Sequence, residues 1–187
     1  VKAIEKESES RGFNPALVAG LIAQESSFLR TSVSTDKAIG LTQVTPIAES
    51  EIIGDFKNWP RYPNLNKFSR RKIKKLIDSG KVNARNEWRL DDTKSVVGGL
   101  TYLKYVHEYW TRPEHLDLLI KTFGDPGIIM TDVMLASYNS GSYRVKKAIL
   151  DKGKDWLTSK TLNQASYYVP IIKSYCYHFS NPRVAGL

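Results

Sequence analysis

Residues 25–46 read ESSFLRTSVSTDKAIGLTQVTP, and together with the apolar helical pattern that precedes them they decide the fold of this 187-residue chain. Asn14 and Pro15 predict the start of that helix, because asparagine caps helix N-termini and proline suits the first helical position. One face of the helix carries, at spacings of three and four, Val18, Leu21, Ile22 and Glu25. A carboxyl group on a core-facing stripe is costly to ionise, so Glu25 is a candidate functional residue.

Helical periodicity dominates the rest of the chain, and no alternating strand pattern is convincing. The pattern predicts further helices over 69–78, 92–110, 131–138, 145–150 and 167–179, with Pro170 early in the last of them. Gly98 and Gly99 interrupt the long helix, where close packing against another element explains two costly glycines. We therefore predict a mainly α fold.

Positive charge is concentrated in one segment. Residues 57–89 contain eleven basic and two acidic residues, so their net charge of +9 equals that of the whole chain. We predict a basic lobe over about 50–90, inserted in a single domain that spans 1–187, because so short a segment cannot bury a core alone. Such a patch attracts polyanions, and salt weakens that attraction. No helix-turn-helix, ribonucleoprotein or zinc motif accompanies the patch, so we expect no nucleic-acid partner.

Aromatic residues are interleaved with the charges of this lobe. They are Trp59, Tyr62, Phe68 and Trp88. Two interpretations are open: the rings stack on sugars, or they form the small core of the lobe. The second is favoured for Phe68 and Trp88.

Several classes of protein are excluded by composition. Cys176 is the only cysteine, which excludes an intramolecular disulfide, and three scattered histidines suggest no metal site. No apolar run approaches the roughly 20 residues that span a membrane. Val1 opens directly onto a charged helical pattern, so we expect no signal peptide within this chain. We expect a monomer that needs no cofactor or metal.

A series of short motifs, taken together, identifies a family. In chain order they are Pro15-Ala16-Leu17-Val18, Glu25-Ser26, Ser34, Ala38-Ile39-Gly40-Leu41-Thr42-Gln43, Pro46, Gly99-Leu100-Thr101-Tyr102-Leu103, Ala136-Ser137-Tyr138-Asn139-Ser140-Gly141 and Tyr168-Val169. With these motifs the chain resembles the bacterial lytic transglycosylases that have the soluble-transglycosylase (SLT), goose-lysozyme-like catalytic domain. The resemblance covers most of the chain apart from 50–90 and implies a lysozyme-like helical domain.

The resemblance implies that Glu25 is the catalytic acid and base. Its substrate would be the β-1,4 bond between N-acetylmuramic acid and N-acetylglucosamine in peptidoglycan, and its products would carry 1,6-anhydromuramyl ends. Physical reasoning agrees, because desolvation raises the pKa of a carboxyl group, and a general acid near neutral pH needs a raised pKa. The alternative is a surface or helix-capping role for Glu25.

The resemblance also assigns residues to the substrate cleft. They are Ser34, Gly40, Leu41, Thr42, Gln43, Thr45, Tyr138, Asn139 and Tyr168. Gly40 would let the backbone approach a sugar, and Gln43 can both donate and accept hydrogen bonds. Tyr138 and Tyr168 are expected near Glu25. Ordinary core or capping positions are the alternative for the tyrosines, and a helix C-cap alone would explain Asn139.

Three departures from the family pattern bear on specificity. Thr42 and Thr45 replace methionines, Lys37 replaces a glycine, and Gln164 and Ser166 replace Glu and Arg. The family's methionines line the wall that receives the N-acetyl group, and two threonines make that wall more polar. Altered preference, for example toward de-N-acetylated glycan, is one hypothesis; neutral drift is the other.

Two alternatives to a transglycosylase stay open. Asp36 could hold a water, as carboxylates in this region do in goose-type lysozymes, and an inverting pair needs about 6.5–9.5 Å between its carboxyl groups. The chain would then be a lysozyme-type muramidase; otherwise Asp36 is a solvated turn residue. An alternative of another class is a non-catalytic wall-binding module. Each of these functions predicts a periplasmic or secreted protein.

Overall fold

The structure is a computed structural model that describes residues 2–181, and that part of the chain is mainly helical. Its α-helices are α1 (Lys2–Glu9), α2 (Pro15–Ser26), α3 (Pro46–Ile52), α4 (Arg70–Asp78), α5 (Asp92–Trp110), α6 (Pro113–Phe123), α7 (Pro126–Ser140), α8 (Ser142–Lys152) and α9 (Asn163–Ser180). Short 3₁₀ helices lie at Ile53–Phe56, Leu65–Lys67, Trp88–Leu90, Gly153–Thr158 and Lys160–Leu162. Only isolated β-bridges occur within 2–181. The predicted mainly α fold is confirmed.

The chain divides into two compact units. The first unit consists of Val1–Tyr102 with Tyr175–Leu187, and the second of Leu103–Ser174. Within residues 2–181, no helix has the length and apolar character needed to cross a membrane. The single catalytic domain over 1–187, with 50–90 as an inserted lobe, stays a prediction.

Helix α2 of the first unit begins and ends where the sequence predicts. The Asn14 side chain accepts a hydrogen bond from the backbone N–H of Ala16 at 2.8 Å, and Pro15 follows it. At the other end, Ser27 adopts a left-handed conformation and its N–H bonds the carbonyl of Ala23. The apolar stripe is buried at Val18, Leu21 and Ile22. The face that leads to Glu25 is therefore anchored in the core.

The basic lobe has a small core, and the loop of residues 31–45, between α2 and α3, contributes to it. Lobe residues Leu65, Ile73, Leu76, Ile77, Val82 and Leu90 cluster with the loop residues Val33 and Ile39. Phe68 packs against this cluster and Trp88 is buried, which agrees with core positions for both rings. Because loop and lobe share one cluster, the loop is held against the lobe.

Buried ion pairs fix the lobe to α3. Arg89 is 1% exposed, and its Nε donates to Glu87 Oε1 at 2.7 Å. Glu49 of α3 pairs with Arg61 Nε at 3.3 Å and with Arg89 Nη1 at 3.7 Å. It also accepts a hydrogen bond from Trp88 Nε1 at 2.9 Å. Removing any one partner would leave buried charge uncompensated, so these pairs hold the lobe in one position.

In the second unit, α8 starts at Ser142 and not at Val145, and α7 and α9 start earlier still than predicted. Helix α7 begins at Pro126, because the Asp125 side chain caps it by accepting from the Gly127 N–H at 2.8 Å. Helix α9 begins at Asn163, which places Pro170 in the helix interior. The prediction of an early position for Pro170 is therefore wrong. A local capping signal before 131 and a preceding 3₁₀ turn explain the differences for α7 and α9.

Candidate active site

Glu25 lies in the last turn of α2, partly buried, beside Ser26, whose hydroxyl donates to the carbonyl of Ile22 at 3.1 Å. Two consecutive non-glycine residues then adopt left-handed conformations, Ser27 at φ 51° and Phe28 at φ 61°. Such a conformation costs a bulky L-residue roughly 1–2 kcal/mol. The helix thus ends abruptly after Glu25, so the carboxyl group stands at a helix end and not inside the core.

The loop that follows is closed by Ser34. Its N–H donates to the carbonyl of Ala38 at 3.0 Å, and its hydroxyl accepts from the Ala38 N–H at 3.1 Å. The backbone N–H of Lys37 donates to the carbonyl of Ser34 at 3.2 Å. Asp36 is exposed at the tip of this turn. Ser34 therefore has a structural role in the loop, whatever it contributes to binding.

Lys37 occupies a position that suits glycine. Its φ is 62°, in the left-handed region that glycine enters without steric cost. This explains why the family pattern has a glycine there. The Lys37 ammonium group donates to the carbonyl of Asn66 in the lobe at 2.9 Å. Lysine at this position therefore strains the backbone more than glycine would, but it adds a hydrogen bond that links the loop to the lobe.

Gly40 allows the loop backbone to pass directly over the lobe. Its φ is 87°, and a Cβ placed there would overlap the backbone carbonyl of Arg89 and lie 3.0 Å from Ser95 Oγ. Leu41, the next residue, is buried. In this structure the close backbone approach at Gly40 is made to Arg89; an approach to a sugar stays a prediction.

Gln43 holds the loop from inside. It is 7% exposed and adopts a left-handed φ of 48°. Its Nε2 donates to the carbonyl of Gly40 at 2.8 Å and to that of Ser32 at 3.1 Å. Both amide hydrogens therefore fix the shape of the loop.

Thr42 and Thr45 both have local structural partners. The buried Thr42 hydroxyl donates to the carbonyl of Ser95 on α5 at 2.7 Å, and a Cβ at Gly99 would lie 2.5 Å from Thr42 Cβ. The Thr45 hydroxyl accepts from the Ala48 N–H at 3.1 Å and caps α3. The predicted close packing at Gly99 is thus made by Thr42.

We expect Thr42→Val to destabilise the protein without changing which glycan it accepts. Valine keeps the shape but loses the hydrogen bond to Ser95, a loss of about 1 kcal/mol in free energy of unfolding. For a chain of this size that corresponds to a fall in Tm of about 2–4 °C. Thermal unfolding, with the exposed Thr35→Val as control, measures it. An unchanged Tm together with an altered KM for glycan would instead place Thr42 in the substrate wall.

The remaining predicted site residues lie in the second unit. Tyr138 and Asn139 are half-buried near the end of α7, and Tyr168 of α9 is 5% exposed. Asn139 Oδ1 accepts from the Ser140 hydroxyl at 3.0 Å, whereas the C-cap of α7 is Gly141. A C-cap position therefore does not account for Asn139. Glu25 and the loop residues belong to the first unit.

The sequence does not single out an aromatic pair formed by Phe28, which follows Glu25 closely, and Phe179. Phe28 is 48% exposed and its ring meets that of Phe179 edge-on, with 6.3 Å between centroids. Both rings line a cavity of about 480 Å³ between α1 and α2. The available signal was a phenylalanine in a polar stretch directly after the acid. Within residues 2–181, no group of three or more acidic, histidine or cysteine side chains is placed to hold a metal ion.

Comparison with known families gives one match. The sequence model of the transglycosylase SLT domain matches residues 2–156, which is most of the chain and includes every predicted site residue except Tyr168. No curated protein sequence matches the chain. The SLT family comprises peptidoglycan-cleaving lytic transglycosylases, which act outside the cytoplasm. This favours an enzyme over a wall-binding module. The resemblance to this family is thereby confirmed: the chain belongs to the transglycosylase SLT domain family and is a peptidoglycan-cleaving glycosidase.

Proposed function

We propose that this SLT domain cleaves the β-1,4 bond between N-acetylmuramic acid and N-acetylglucosamine, with Glu25 as its single acid and base. The observation that carries the proposal is the position of Glu25: a partly buried carboxyl group at the end of an apolar helix. Two left-handed residues keep it at that end. Periplasmic or secreted placement is part of the proposal and follows from the substrate.

The proposed reaction uses one carboxyl group twice. Glu25 first gives its proton to the glycosidic oxygen as the bond to muramyl C1 breaks. The resulting carboxylate then takes the proton of the muramyl C6 hydroxyl, and that oxygen bonds to C1 to close the 1,6-anhydro ring. No water enters, so no second carboxylate is required. The first step needs a carboxyl that is protonated at working pH, and burial favours the protonated form.

The loop of residues 31–45 supplies one wall of the proposed cleft. Ser34, Gly40 and Gln43 are held by hydrogen bonds or backbone packing inside the loop and against the lobe. A wall fixed in this way loses little conformational entropy when a sugar binds. For Tyr138, Asn139 and Tyr168 the support is the family pattern, and we assign them to substrate binding on that basis.

The alternative is hydrolysis with a water held by Asp36. A residue that positions a catalytic water needs partners that fix its own rotamer. The Asp36 carboxylate is exposed and makes no hydrogen bond or ion pair with any residue in 2–181. A solvated turn residue fits these observations better than a water-holding base.

Asp36→Asn tests this alternative. We expect the rate of sacculus cleavage to stay within about twofold of the unsubstituted enzyme, since transglycosylation uses only Glu25 in the proton transfers. The exposed Asp55→Asn is the matched control. A fall of about a hundredfold or more, confined to Asp36→Asn, would support a hydrolase instead.

A preference for de-N-acetylated glycan is a second candidate for specificity. Its basis is the presence of Thr42 and Thr45 where the family has methionines, yet both hydroxyls have partners within the protein, on Ser95 and Ala48. Those partners favour acetylated glycan as the ordinary substrate. Digestion of acetylated and deacetylated sacculi side by side decides: a clear preference for the acetylated form is expected, and the reverse preference would restore the candidate.

A further inference from the structure

The eleven basic residues of the lobe divide into two groups. Arg61 and Arg89 pair with buried carboxylates, and Arg70 Nε donates to the carbonyl of Val33 at 2.8 Å. These three arginines hold the lobe to its surroundings. The other eight are exposed: Lys57, Lys67, Arg71, Lys72, Lys74, Lys75, Lys81 and Arg85.

The exposed cations have no acidic partners. Among residues 2–181, no carboxylate lies within 4 Å of any of the eight. Residues 57–89 contain two acids, of which Glu87 is buried against Arg89 and Asp78 is exposed; Glu51 and Asp55, at the start of the lobe, are exposed as well. Eight exposed cations against three exposed acids leave the surface of the lobe strongly positive.

Helix α4 carries this charge at a cost to its own stability. Its apolar side, Ile73, Leu76 and Ile77, is buried, and its other faces carry lysine and arginine. Three cations occupy the first turn, where the helix dipole favours anions. Arg71 and Lys75 are also like charges at a spacing of four, which destabilises a helix. An arrangement that disfavours the helix indicates that the charge is needed for an external partner.

We propose that the exposed face of the lobe, centred on Arg71, Lys72, Lys74 and Lys75, docks the carboxylate groups of peptidoglycan. Stem-peptide carboxylates, and lactyl carboxylates where the stem has been removed, recur along the polymer that this family cleaves, so they match a surface of repeated point charges. Six of the eight cations are lysines, which suit dispersed anions better than forked, bidentate recognition. The docking would retain the enzyme on an insoluble substrate.

The lobe is joined to the loop of residues 31–45, so docking would place glycan next to that loop. Lys37 reaches Asn66, Arg70 reaches Val33, and Val33 belongs to the lobe cluster. The inference rests on the substrate of the proposed function, but not on the role of Glu25. Binding and cutting can therefore be tested separately.

The test is sedimentation with purified sacculi stripped of attached phosphate polymers, in a Glu25→Gln background. A triple variant, Lys72→Glu, Lys74→Glu and Lys75→Glu, is compared with Lys147→Glu, Lys152→Glu and Lys154→Glu, which are equally exposed and change the net charge equally. At 50 mM salt we expect about tenfold weaker binding for the lobe variant and less than twofold for the control. The difference should vanish at high salt.

A second arm blocks the carboxylates. Amidated sacculi should bind the unsubstituted lobe as weakly as untreated sacculi bind the lobe variant. Equal losses in both triple variants would show that only net charge matters, and unchanged binding to amidated sacculi would exclude carboxylates; either result overturns the proposal. Binding that requires the attached phosphate polymers overturns it too. An unchanged Tm for the lobe variant excludes misfolding. If the Glu25→Gln variant binds sacculi normally and still cleaves them, that result counts against the proposed function alone and leaves the docking proposal in place.

Discussion

Glu25→Gln is expected to lower the rate of sacculus cleavage by at least about a thousandfold, because general acid–base catalysis alone contributes up to 10⁴-fold and Glu25 serves in both steps of the proposed reaction. Glutamine keeps the shape of the side chain but can neither give nor take the proton. Release of dye-labelled fragments from sacculi measures the rate.

Glu51→Gln is the control for this substitution. Glu51 is an exposed carboxyl on α3, so its loss changes the net charge equally and should leave the rate within about twofold. Binding of Glu25→Gln to sacculi should persist, which separates catalysis from folding. Cleavage by Glu25→Gln within tenfold of the unsubstituted enzyme would remove Glu25 from the chemistry.

Gly40→Ala is expected to lower the free energy of unfolding by about 3 kcal/mol or more. The new methyl group would overlap the backbone carbonyl of Arg89, which the buried pair with Glu87 holds in place. The left-handed φ of 87° adds its own cost. For a chain of this size the loss corresponds to a fall in Tm of about 6–12 °C, measured by thermal unfolding.

Gly12→Ala separates the two causes. Gly12 has a similar φ of 73°, but no heavy atom lies within 4 Å of a Cβ placed there. It should cost only about 1 kcal/mol, the price of the backbone conformation. Equal shifts for the two variants would show that the loop does not pack on Arg89 as described.

Local signals predicted the elements that local chemistry determines. The start of α2 at Asn14-Pro15 and the bounds of α5 at Asp92 and Trp110 follow from capping and periodicity, and the structure has them. The start of α7 was missed although Asp125-Pro126 is the same kind of signal, because the apolar run that defined this helix begins only later. The sequence before Pro170 carries no comparable capping signal, so the start of α9 was placed too late.

The sequence nominates the candidate site residues as a set, but it does not predict the contacts that hold them in place. Lys37 meets Asn66 29 positions further along, and Thr42 meets Ser95 across 53 positions. One sequence without an alignment contains no information on such pairs. The sequence shows that Lys37 replaces a glycine. The structure adds that Lys37 has a strained left-handed backbone and that its ammonium group gains a hydrogen bond to the carbonyl of Asn66.

The most direct test of the central claim is the chemistry of the product ends. Purified glycan strands are digested in water enriched in ¹⁸O, and the muramyl ends are analysed by mass spectrometry. Single-carboxyl catalysis by Glu25 predicts 1,6-anhydromuramyl ends that contain no ¹⁸O, because the C6 hydroxyl replaces water as the nucleophile. Reducing muramyl ends that carry ¹⁸O would contradict it and show that water, not the substrate's own hydroxyl, attacks C1.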